Sequence, residues 1–263
     1  MCGRFILVQK LEKLESRYNA TAVEGIDYSP SFNISPGKSS LIIPGDAPEK
    51  IMPAIFGLTP FWAKKSMYLF NARAEGDRNK ENDPKFKGAK DIINKPAFRK
   101  PIRSQRCLVP ADAFIEGTTK NGLSEQYLVF LKNKQRPFSF AGLYDDWINP
   151  QTGETLRSFS IITATANELM QKIPHHRSPV ILTPYQEKKW LSSRTALTDI
   201  TDMLYPFDAN LMDAYPISDK VKSPQNDEAS LIEAVGSNLN PDNEIDIKDS
   251  LKKQGFGRNN RHF

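Results

Sequence analysis

The sequence contains few cysteines and no long apolar segment. Only Cys2 and Cys107 occur among 263 residues, which excludes a disulfide-rich scaffold and a structural zinc site built from cysteine–histidine pairs. No apolar run approaches the ~18–20 residues that a membrane-spanning helix needs. Near the N-terminus the only apolar stretch is residues 5–8, far shorter than the apolar core of a signal peptide. These features predict an intracellular protein, cytoplasmic and nucleoid-associated if the source is a bacterium.

The composition is that of a chain able to form a packed core. Hydrophobic residues make up 39%, charged residues 25% and aromatic residues 10%, which excludes global disorder. The length suits one large domain or two small ones. After Gly236 the sequence becomes rich in Asn, Asp and Lys. We therefore predict one domain over residues 1–236 and a poorly ordered, partly basic tail over residues 237–263.

Positive charge is concentrated in one segment. The formal net charge of the chain is +5, whereas residues 76–106 contain ten lysines and arginines against four acidic residues, a local charge of +6. Such a concentration predicts a surface for a polyanion such as nucleic acid. A solvated, lysine-rich loop would have the same composition.

Short apolar and β-branched runs predict a middle region dominated by strands. The runs are residues 40–44, 51–58, 126–132, 138–145, 159–166 and 180–183. These strands do not alternate regularly with helices, so the pattern favours an α+β fold over a doubly wound sheet.

Three helices are predicted at the two ends of the chain. Apolar residues at steps of four, three and four predict a helix over residues 7–19. A threonine–proline pair at 183–184, followed by glutamine, predicts a capped helix start. A serine–proline pair at 223–224 predicts a further helix that ends at Gly236.

The first five residues, Met-Cys-Gly-Arg-Phe, carry the sharpest chemical signal. Removal of Met1 would leave Cys2 with a free α-amine beside its thiol. A 1,2-aminothiol condenses with an aldehyde to an imine, and the thiol can then close a thiazolidine ring. Both groups have ordinary pKa values of about 8, so a modest downward shift would make either reactive at neutral pH. The alternative is that cysteine at position 2 has no function.

Several further side chains suit proton transfer or anion binding. His175 lies in a His-His-Arg run, and Glu116 follows an apolar segment that predicts desolvation and a raised pKa. Asn71 and Arg73 would share one face of an extended chain, where an amide and a guanidinium can hold a phosphate. Trp62, beside lysines, could stack on unpaired bases or belong to the core. Each also has a plainer interpretation: a structural histidine, a strand-edge acid, or a turn asparagine beside a surface ion pair.

Together these motifs resemble one family, the SOS response-associated peptidase (SRAP) domain proteins. The matching segments are MCGRF at 1–5, FNISP at 32–36, FGLTPFWAK at 56–64, FNARAE at 70–75, RCLVPADAFIEG at 106–117, FAGLYDDW at 140–147, IITATAN at 161–167 and HHRSPVIL at 175–182. The resemblance extends from residue 1 to about residue 235. It implies a strongly bent, mixed but mostly antiparallel sheet that forms a pseudo-barrel with flanking helices.

The same resemblance implies a function. Members of the family shield abasic sites in single-stranded DNA by covalent attachment, after self-removal of the initiator methionine. The implied activities are an autopeptidase step and a lyase-type activity. The implied partner is single-stranded DNA containing abasic sites, bound by a monomer without cofactor, metal or membrane.

Roles for individual residues also follow from the resemblance. Cys2 corresponds to the nucleophile, and Asn71 to the residue that positions the Cys2 amine and the lesion. Glu116 corresponds to the acid–base group, and His175 to the histidine that assists opening of the sugar ring and stabilises the adduct. The implied DNA-binding residues are Arg4, Asn33, Pro36, Trp62, Arg73, Thr163 and Arg177.

The chain departs from the family pattern at three positions. Gly117 stands where a tryptophan usually follows the acid, Ser178 replaces a methionine and His176 replaces an acidic residue. Because a tryptophan would add a stacking surface, Gly117 predicts a weaker grip on DNA, and introducing a tryptophan there should strengthen binding.

The residues alone leave two other functional classes open. N-terminal-nucleophile amidohydrolases of the glutamine amidotransferase type also begin Met-Cys-Gly. A non-catalytic module that binds single-stranded DNA through the basic segment would need no reaction at Cys2.

Overall fold

The computed structural model of the protein describes residues 2–118, 125–132 and 136–241. Within these ranges the strands are β1 (Arg4–Leu7), β2 (Thr21–Ala22), β3 (Ser31–Ile34), β4 (Ser39–Pro44), β5 (Lys50–Phe56), β6 (Asn71–Arg73), β7 (Arg106–Ala111), β8 (Ala113–Gly117), β9 (Gln126–Leu131), β10 (Phe138–Ile148), β11 (Thr155–Thr165), β12 (Arg177–Pro179), β13 (Ile181–Leu182) and β14 (Met212–Ile217). The α-helices are α1 (Leu11–Tyr18), α2 (Pro101–Ser104), α3 (Glu168–Lys172), α4 (Pro184–Leu191) and α5 (Leu197–Thr201). In the described ranges no helix is both long and apolar enough to cross a membrane.

Five strands close into a barrel. β5 pairs with β4, β4 with β7, β7 with β10 and β10 with β11, all antiparallel, and β11 returns to β5 in a parallel pairing. β6 and β12 extend this sheet on the two sides of β11. A second sheet has the order β14–β9–β8–β1–β3. The expected α+β fold, a mostly antiparallel pseudo-barrel with flanking helices, is confirmed.

An aromatic cluster anchors β1 against the barrel. The ring of Phe5 meets Phe56 edge-on with centroids 5.4 Å apart, and Phe56 stacks on Phe159 at 5.2 Å. All three rings are fully buried. Such pairs contribute about 0.5–1.5 kcal/mol each beyond the burial of their area. Because Phe5 is only three residues from Cys2, this packing fixes the start of the chain in the interior.

Most sequence-based elements are confirmed, with shifted ends. The predicted strands correspond to β4, β5, β9, β10 and β11, whereas the run at 180–183 forms only the short β13. Helix α1 begins at Leu11 rather than at residue 7, because β1 pairs with β3 and β8. Helix α4 begins with the expected capping box, in which Thr183 and Gln186 bond to each other's backbone N–H groups.

The helix predicted between Pro224 and Gly236 is wrong. This segment contains only a 3-10 turn, Ala229–Ile232. Asp227 accepts hydrogen bonds of 2.6 Å from the Ser31 hydroxyl and from the backbone N–H of Phe32. Leu231 is buried in an apolar cluster with residues of the second sheet. These tertiary contacts hold the segment in an irregular path despite its helical apolar spacing.

The start of the predicted tail is attached to β14. Leu239 donates its backbone N–H to the Ala214 carbonyl at 2.8 Å, and Asn240 donates its own to Asp213 at 2.8 Å. Residues 242–263, with His262, lie outside the described residues, so the predicted character of the tail stays a prediction.

Candidate functional site

Cys2 is fully buried immediately before β1. Its carbonyl accepts a 2.9 Å hydrogen bond from Nδ2 of Asn71, and its sulfur lies 3.9 Å from the Arg4 carbonyl oxygen. Burial raises the pKa of the Cys2 thiol well above its ordinary value, and the charge of Glu116 raises it further. The thiol therefore keeps its proton in this environment.

Sheet topology brings the other predicted catalytic residues to Cys2. Glu116 lies in β8, which pairs antiparallel with β1 so that Arg4 faces Ile115. Asn71 begins β6, and His175 lies two residues before the first residue of β12. β6 and β12 lie on the two sides of β11 and bring Asn71 and His175 from distant parts of the chain to one end of the barrel.

Glu116 and His175 form a buried pair. Oε2 of Glu116 lies 3.3 Å from Nε2 of His175, and the two side chains are 3% and 1% exposed. On the other side of the ring, Nδ1 of His175 lies 2.9 Å from the carbonyl oxygen of Gly117. A carbonyl can only accept, so Nδ1 carries the hydrogen, and Nε2 of the neutral ring is an acceptor that faces the carboxyl group.

The electrostatics of the pair agree with this tautomer. Burial raises the pKa of Glu116 to about 7 and lowers that of His175 to about 3. Both shifts favour a neutral pair in which the carboxyl group of Glu116 donates to Nε2. Near neutral pH, Glu116 is therefore divided between its acid and carboxylate forms, as proton transfer in both directions requires.

An arginine follows three of the four candidate catalytic residues by two positions. The pairs are Cys2–Arg4, Asn71–Arg73 and His175–Arg177. Among the described residues, the Nε atom of each arginine is buried without a hydrogen-bond partner, as is Nη1 of Arg177. Buried donors without partners are rare, so each needs an explanation. The guanidinium groups of Arg4 and Arg73 are half-buried and suit an anionic ligand, whereas Arg177 is buried.

These arginines also hold the walls of the site. Arg177 is 1% exposed and donates to Oε2 of Glu75 at 2.7 Å and to the Thr163 carbonyl at 2.8 Å. Arg73 donates to the Asn79 carbonyl and to Oδ1 of Asn82. Arg4 donates to the Lys222 carbonyl.

Two other predicted DNA-binding residues lie in the interior. Asn33 is fully buried, and its Nδ2 donates to the carbonyls of Val221, Ser223 and Asn226. Thr163 is also fully buried, in β11. These contacts assign Asn33 and Thr163 to the support of the site rather than to its surface.

The predicted aromatic surface is exposed. Trp62 is 49% exposed, which excludes the alternative that it belongs to the core. Its neighbour Phe61 is 51% exposed, and the ammonium of Lys100 lies 4.3 Å from the Phe61 ring centroid. Pro36 is half-buried in the turn after β3. Phe61, Trp62 and Lys100 thus combine stacking surface with positive charge.

Part of the basic segment serves the interior. Arg106 is buried and donates to four backbone carbonyls, including that of Trp190 at 2.6 Å. Lys90 is only 9% exposed, and Lys95 pairs with Asp77. The surface available to a polyanion is therefore smaller than the formal charge of +6 implies. The cations that remain exposed are Arg78, Lys80, Lys85, Lys87, Arg99, Lys100 and Arg103.

Gly117 is enclosed by the neighbouring strand. A Cβ atom at this position would lie 2.4 Å from Nε2 of Gln126 and 2.9 Å from the carbonyl oxygen of Glu125. A tryptophan here would have to displace Gln126 and the start of β9. The premise of an open, DNA-facing position at residue 117 is therefore wrong.

Sequence reasoning missed two partners of the site. The Gly117 carbonyl fixes the His175 tautomer, and no side-chain pattern could have indicated a backbone oxygen. Glu75 pairs with Arg177, and its spacing of two residues from Arg73 is the only signal in the sequence. Among the described residues, no group of three or more His, Cys, Asp or Glu side chains could hold a metal ion.

One family model, several relatives and several solved structures match this chain. The family model of SOS response associated peptidase (SRAP) matches residues 1–224. The chain is similar to the abasic site processing protein YoqW of Bacillus subtilis (strain 168), at 36% identity over 241 residues, covering 89% of this chain and 100% of that protein. It is 27% identical over 237 residues to the abasic site processing protein HMCES of Xenopus tropicalis, covering 79% and 67% of the two chains. A crystal structure of a protein from Bacteroides thetaiotaomicron superposes with a TM-score of 0.74 at 29% identity, covering 89% of this chain and all of that one.

Proposed function

This chain belongs to the SOS response associated peptidase (SRAP) family, and on that premise we propose that it captures abasic sites in single-stranded DNA through a covalent bond to Cys2. The relatives named above are abasic site processing proteins. The observation that carries the proposal is the convergence of Cys2, Asn71 and the buried Glu116–His175 pair at one end of the barrel.

The first step is removal of Met1. Hydrolysis of the Met1–Cys2 peptide bond consumes one water, releases methionine and leaves the α-amine of Cys2. Asn71 suits the orientation of that amine, because Nδ2 already binds the Cys2 carbonyl. Its Oδ1 is buried and accepts no hydrogen bond from the described residues, so it can accept one from the new amine.

In the second step the amine attacks the aldehyde carbon of the ring-opened sugar. A C–N bond forms, and the resulting hydroxyl leaves as water after it receives a proton. Protonated Glu116, with a pKa of about 7, is the donor that supports this step. The product is a protonated imine, in which one hydrogen of the amine stays on nitrogen while Glu116 is left as the carboxylate. Loss of the proton on the adjacent sugar carbon would expel the 3′ phosphate, the lyase-type outcome.

In the third step the thiol adds to the imine carbon. A C–S bond forms, and the electron pair of the C=N bond moves to the protonated nitrogen, which becomes the neutral N–H of the thiazolidine. The thiol proton passes to the Glu116 carboxylate. The raised pKa of the Cys2 thiol makes such a base necessary. Glu116 acts as an acid in one step and as a base in the next. When Glu116 is protonated, Nε2 of His175 accepts the hydrogen bond from its carboxyl group.

Recognition of a single strand is supported by features at the edge of the site. Arg4 and Arg73 are half-buried cations beside Cys2 and Asn71 in sequence, and their guanidinium groups suit phosphate oxygens, whereas Arg177 is buried and holds Glu75. Phe61 and Trp62 offer exposed rings on which unpaired bases can stack. Neither feature reads a base sequence, so we expect capture to depend on the lesion and on single-strandedness.

Intact mass spectrometry with an abasic oligonucleotide tests the proposal. The parent protein should lack Met1 and gain the mass of the oligonucleotide less one water. Cys2→Ala should form no heat-stable adduct, whereas Cys107→Ala, which removes the other buried thiol, should react like the parent. A heat-stable adduct of Cys2→Ala would exclude the thiazolidine.

A further inference from the structure

A second cleft shares no residue with the Cys2 site. It lies between α4 and the segment after α5 and has a volume of about 600 Å³. Its lining includes the buried apolar side chains of Ile181, Met203 and Phe207. Tyr185 and Tyr205 also line it and are 69% and 46% exposed. The cleft is therefore large enough for a nucleotide and combines an apolar lining with two exposed aromatic rings.

Each tyrosine ring of the cleft makes a cation–π contact with a lysine. The ammonium of Lys189 lies 4.9 Å from the Tyr185 centroid, and that of Lys90 lies 4.1 Å from the Tyr205 centroid. A cation on one face of a ring leaves the other face for a second partner. Aromatic rings combined with nearby positive charge are the means by which proteins hold unpaired bases and their phosphates.

Two aspartates complete the lining of the cleft. Asp199 and Asp202 belong to α5 and the residue after it, and both are exposed. Carboxylates accept hydrogen bonds from the exocyclic amino groups of bases, as Asp and Glu do with cytosine N4. The combination suits a ligand that carries both an amino-bearing base and a phosphate, and it disfavours a bare polyphosphate.

Lys90 connects this cleft to the neighbourhood of the Cys2 site. It is 9% exposed and belongs to the basic segment. The backbone N–H of Ile92, two residues further on, donates to the Ala74 carbonyl at 3.2 Å, so the segment of Lys90 lies beside that of Glu75, the partner of Arg177. Lys90 therefore contacts Tyr205 of the cleft from a segment that also contacts the residues around Glu75.

We propose that the cleft between α4 and α5 binds an unpaired nucleotide of the same strand whose abasic site reacts at Cys2. The base lies against the tyrosines, its amino group meets Asp199 or Asp202, and Lys189 meets the phosphate. This inference rests on the proposed function, and it adds a second contact that holds the flanking strand.

Binding of two strand lengths tests the cleft. Both oligonucleotides carry a stable tetrahydrofuran abasic analogue, which cannot react; one has only a few flanking nucleotides and the other is long and cytosine-rich. The double substitution Tyr185→Leu and Tyr205→Leu should weaken binding of the long strand about tenfold, the effect of losing a stacked base, and leave the short strand unchanged. Ile148→Ala, which truncates an exposed apolar side chain at the end of β10, is the control and should change neither.

Photo-crosslinking locates the contact. Single 5-iodo-deoxycytidines at successive distances from the analogue should crosslink to Tyr185 or Tyr205 from a narrow range of positions. Deoxycytidine monophosphate should compete only weakly, since the strand supplies the affinity. Equal long-strand affinity in the double variant, with thermal melting showing that it folds, would overturn the proposal. Tight binding of the free nucleotide without crosslinks from the strand would also overturn it.

The two proposals fail separately. Adduct formation on a short oligonucleotide with a true abasic site depends on Cys2 and not on the cleft. If the parent protein forms no such adduct, the result would count against the Cys2 chemistry. A normal adduct, together with a double variant that binds the long strand as tightly as the parent does, would count against the cleft alone.

Discussion

Two buried acid–base pairs have their basic members, His175 and Arg177, on either side of His176 in sequence, and the two pairs hold their protons differently. Glu116 meets His175 at 3.3 Å, and Glu75 meets Arg177 at 2.7 Å. All four side chains are at most 3% exposed. Burial lowers the pKa of both bases. Because imidazole ordinarily titrates near pH 6.5 and guanidinium above pH 12, the same desolvation neutralises His175 and leaves Arg177 charged.

Burial alone therefore does not make a reactive pair. With arginine the pair is a permanent ion pair that holds β12 and the segment after β6 together. With histidine the pair shares one proton, and its carboxyl group titrates near neutrality. The chemistry of the base decides which pair can transfer a proton and which can only hold position.

The largest expected effect comes from removing the transferable proton. Glu116→Gln should slow adduct formation by about 10²–10⁴-fold, the usual loss for an acid–base group. Its amide can still donate to Nε2 of His175, so the fold should remain. Single-turnover rates on an abasic oligonucleotide measure the effect, with the exposed Glu233→Gln as control. An unchanged rate would remove Glu116 from the mechanism.

Breaking the fixed pair should instead affect folding. Glu75→Gln leaves Arg177 as a buried charge without its counter-ion, which destabilises the protein by about 3–5 kcal/mol. Asp219→Asn, which breaks an exposed contact with Lys222, should change stability by less than about 1 kcal/mol. Chemical denaturation measures both. If Glu75→Gln unfolds like Asp219→Asn, the pair is not held as a desolvated ion pair.

The proton-sharing pair should give stability a dependence on pH. The folded-state pKa of Glu116, about 7, lies above the ordinary value of about 4.3, so its contribution is complete below pH ~4.3 and is lost as pH rises through 7. His175, lowered to about 3, contributes above pH ~6.5 and loses that contribution as pH falls.

Glu116→Gln removes the pH dependence of stability that comes from Glu116 and keeps the one that comes from His175. Between pH 5 and 7 the variant should therefore gain stability relative to the parent, on the order of 1 kcal/mol per pH unit. Denaturation of both proteins at several pH values measures the difference. Parallel stability curves would mean that the carboxyl group of Glu116 is not desolvated in the folded protein.

The smallest expected effect concerns charges that are exposed rather than buried. Substituting Lys80, Lys85 and Lys87 together by glutamine should reduce the log–log salt slope of single-strand binding by about 2, since each phosphate that a lysine neutralises contributes about 0.7 to the slope. Substituting the exposed Lys10, Lys13 and Lys220 in the same way should leave the slope unchanged. A slope that the first set leaves intact would show that the exposed lysines of the basic segment do not meet DNA.

Much of the fold follows from local pattern. The apolar runs at 40–44, 138–145 and 159–166 correspond to barrel strands, and the capping box at Thr183 begins α4. Predictions from local pattern were wrong where distant residues determine the path of the backbone. Residues 224–236 have helical apolar spacing, but Asp227 and Leu231 bind the second sheet instead. The same holds at Gly117, whose open side is occupied by Gln126.

The sequence alone is enough to identify the reactive groups of this protein and to place Asn71 and Arg73 two residues apart on one extended segment. It identified Cys2, Asn71, Glu116 and His175 as candidates and an α+β fold to carry them. Three contacts are seen only in the folded chain: Glu116 faces Nε2 of His175, Arg177 pairs with Glu75, and Arg106 binds backbone carbonyls in the interior. The reason is that strand register and barrel closure determine these contacts and their desolvation, and both depend on pairings between segments far apart in the chain, which local propensities do not encode.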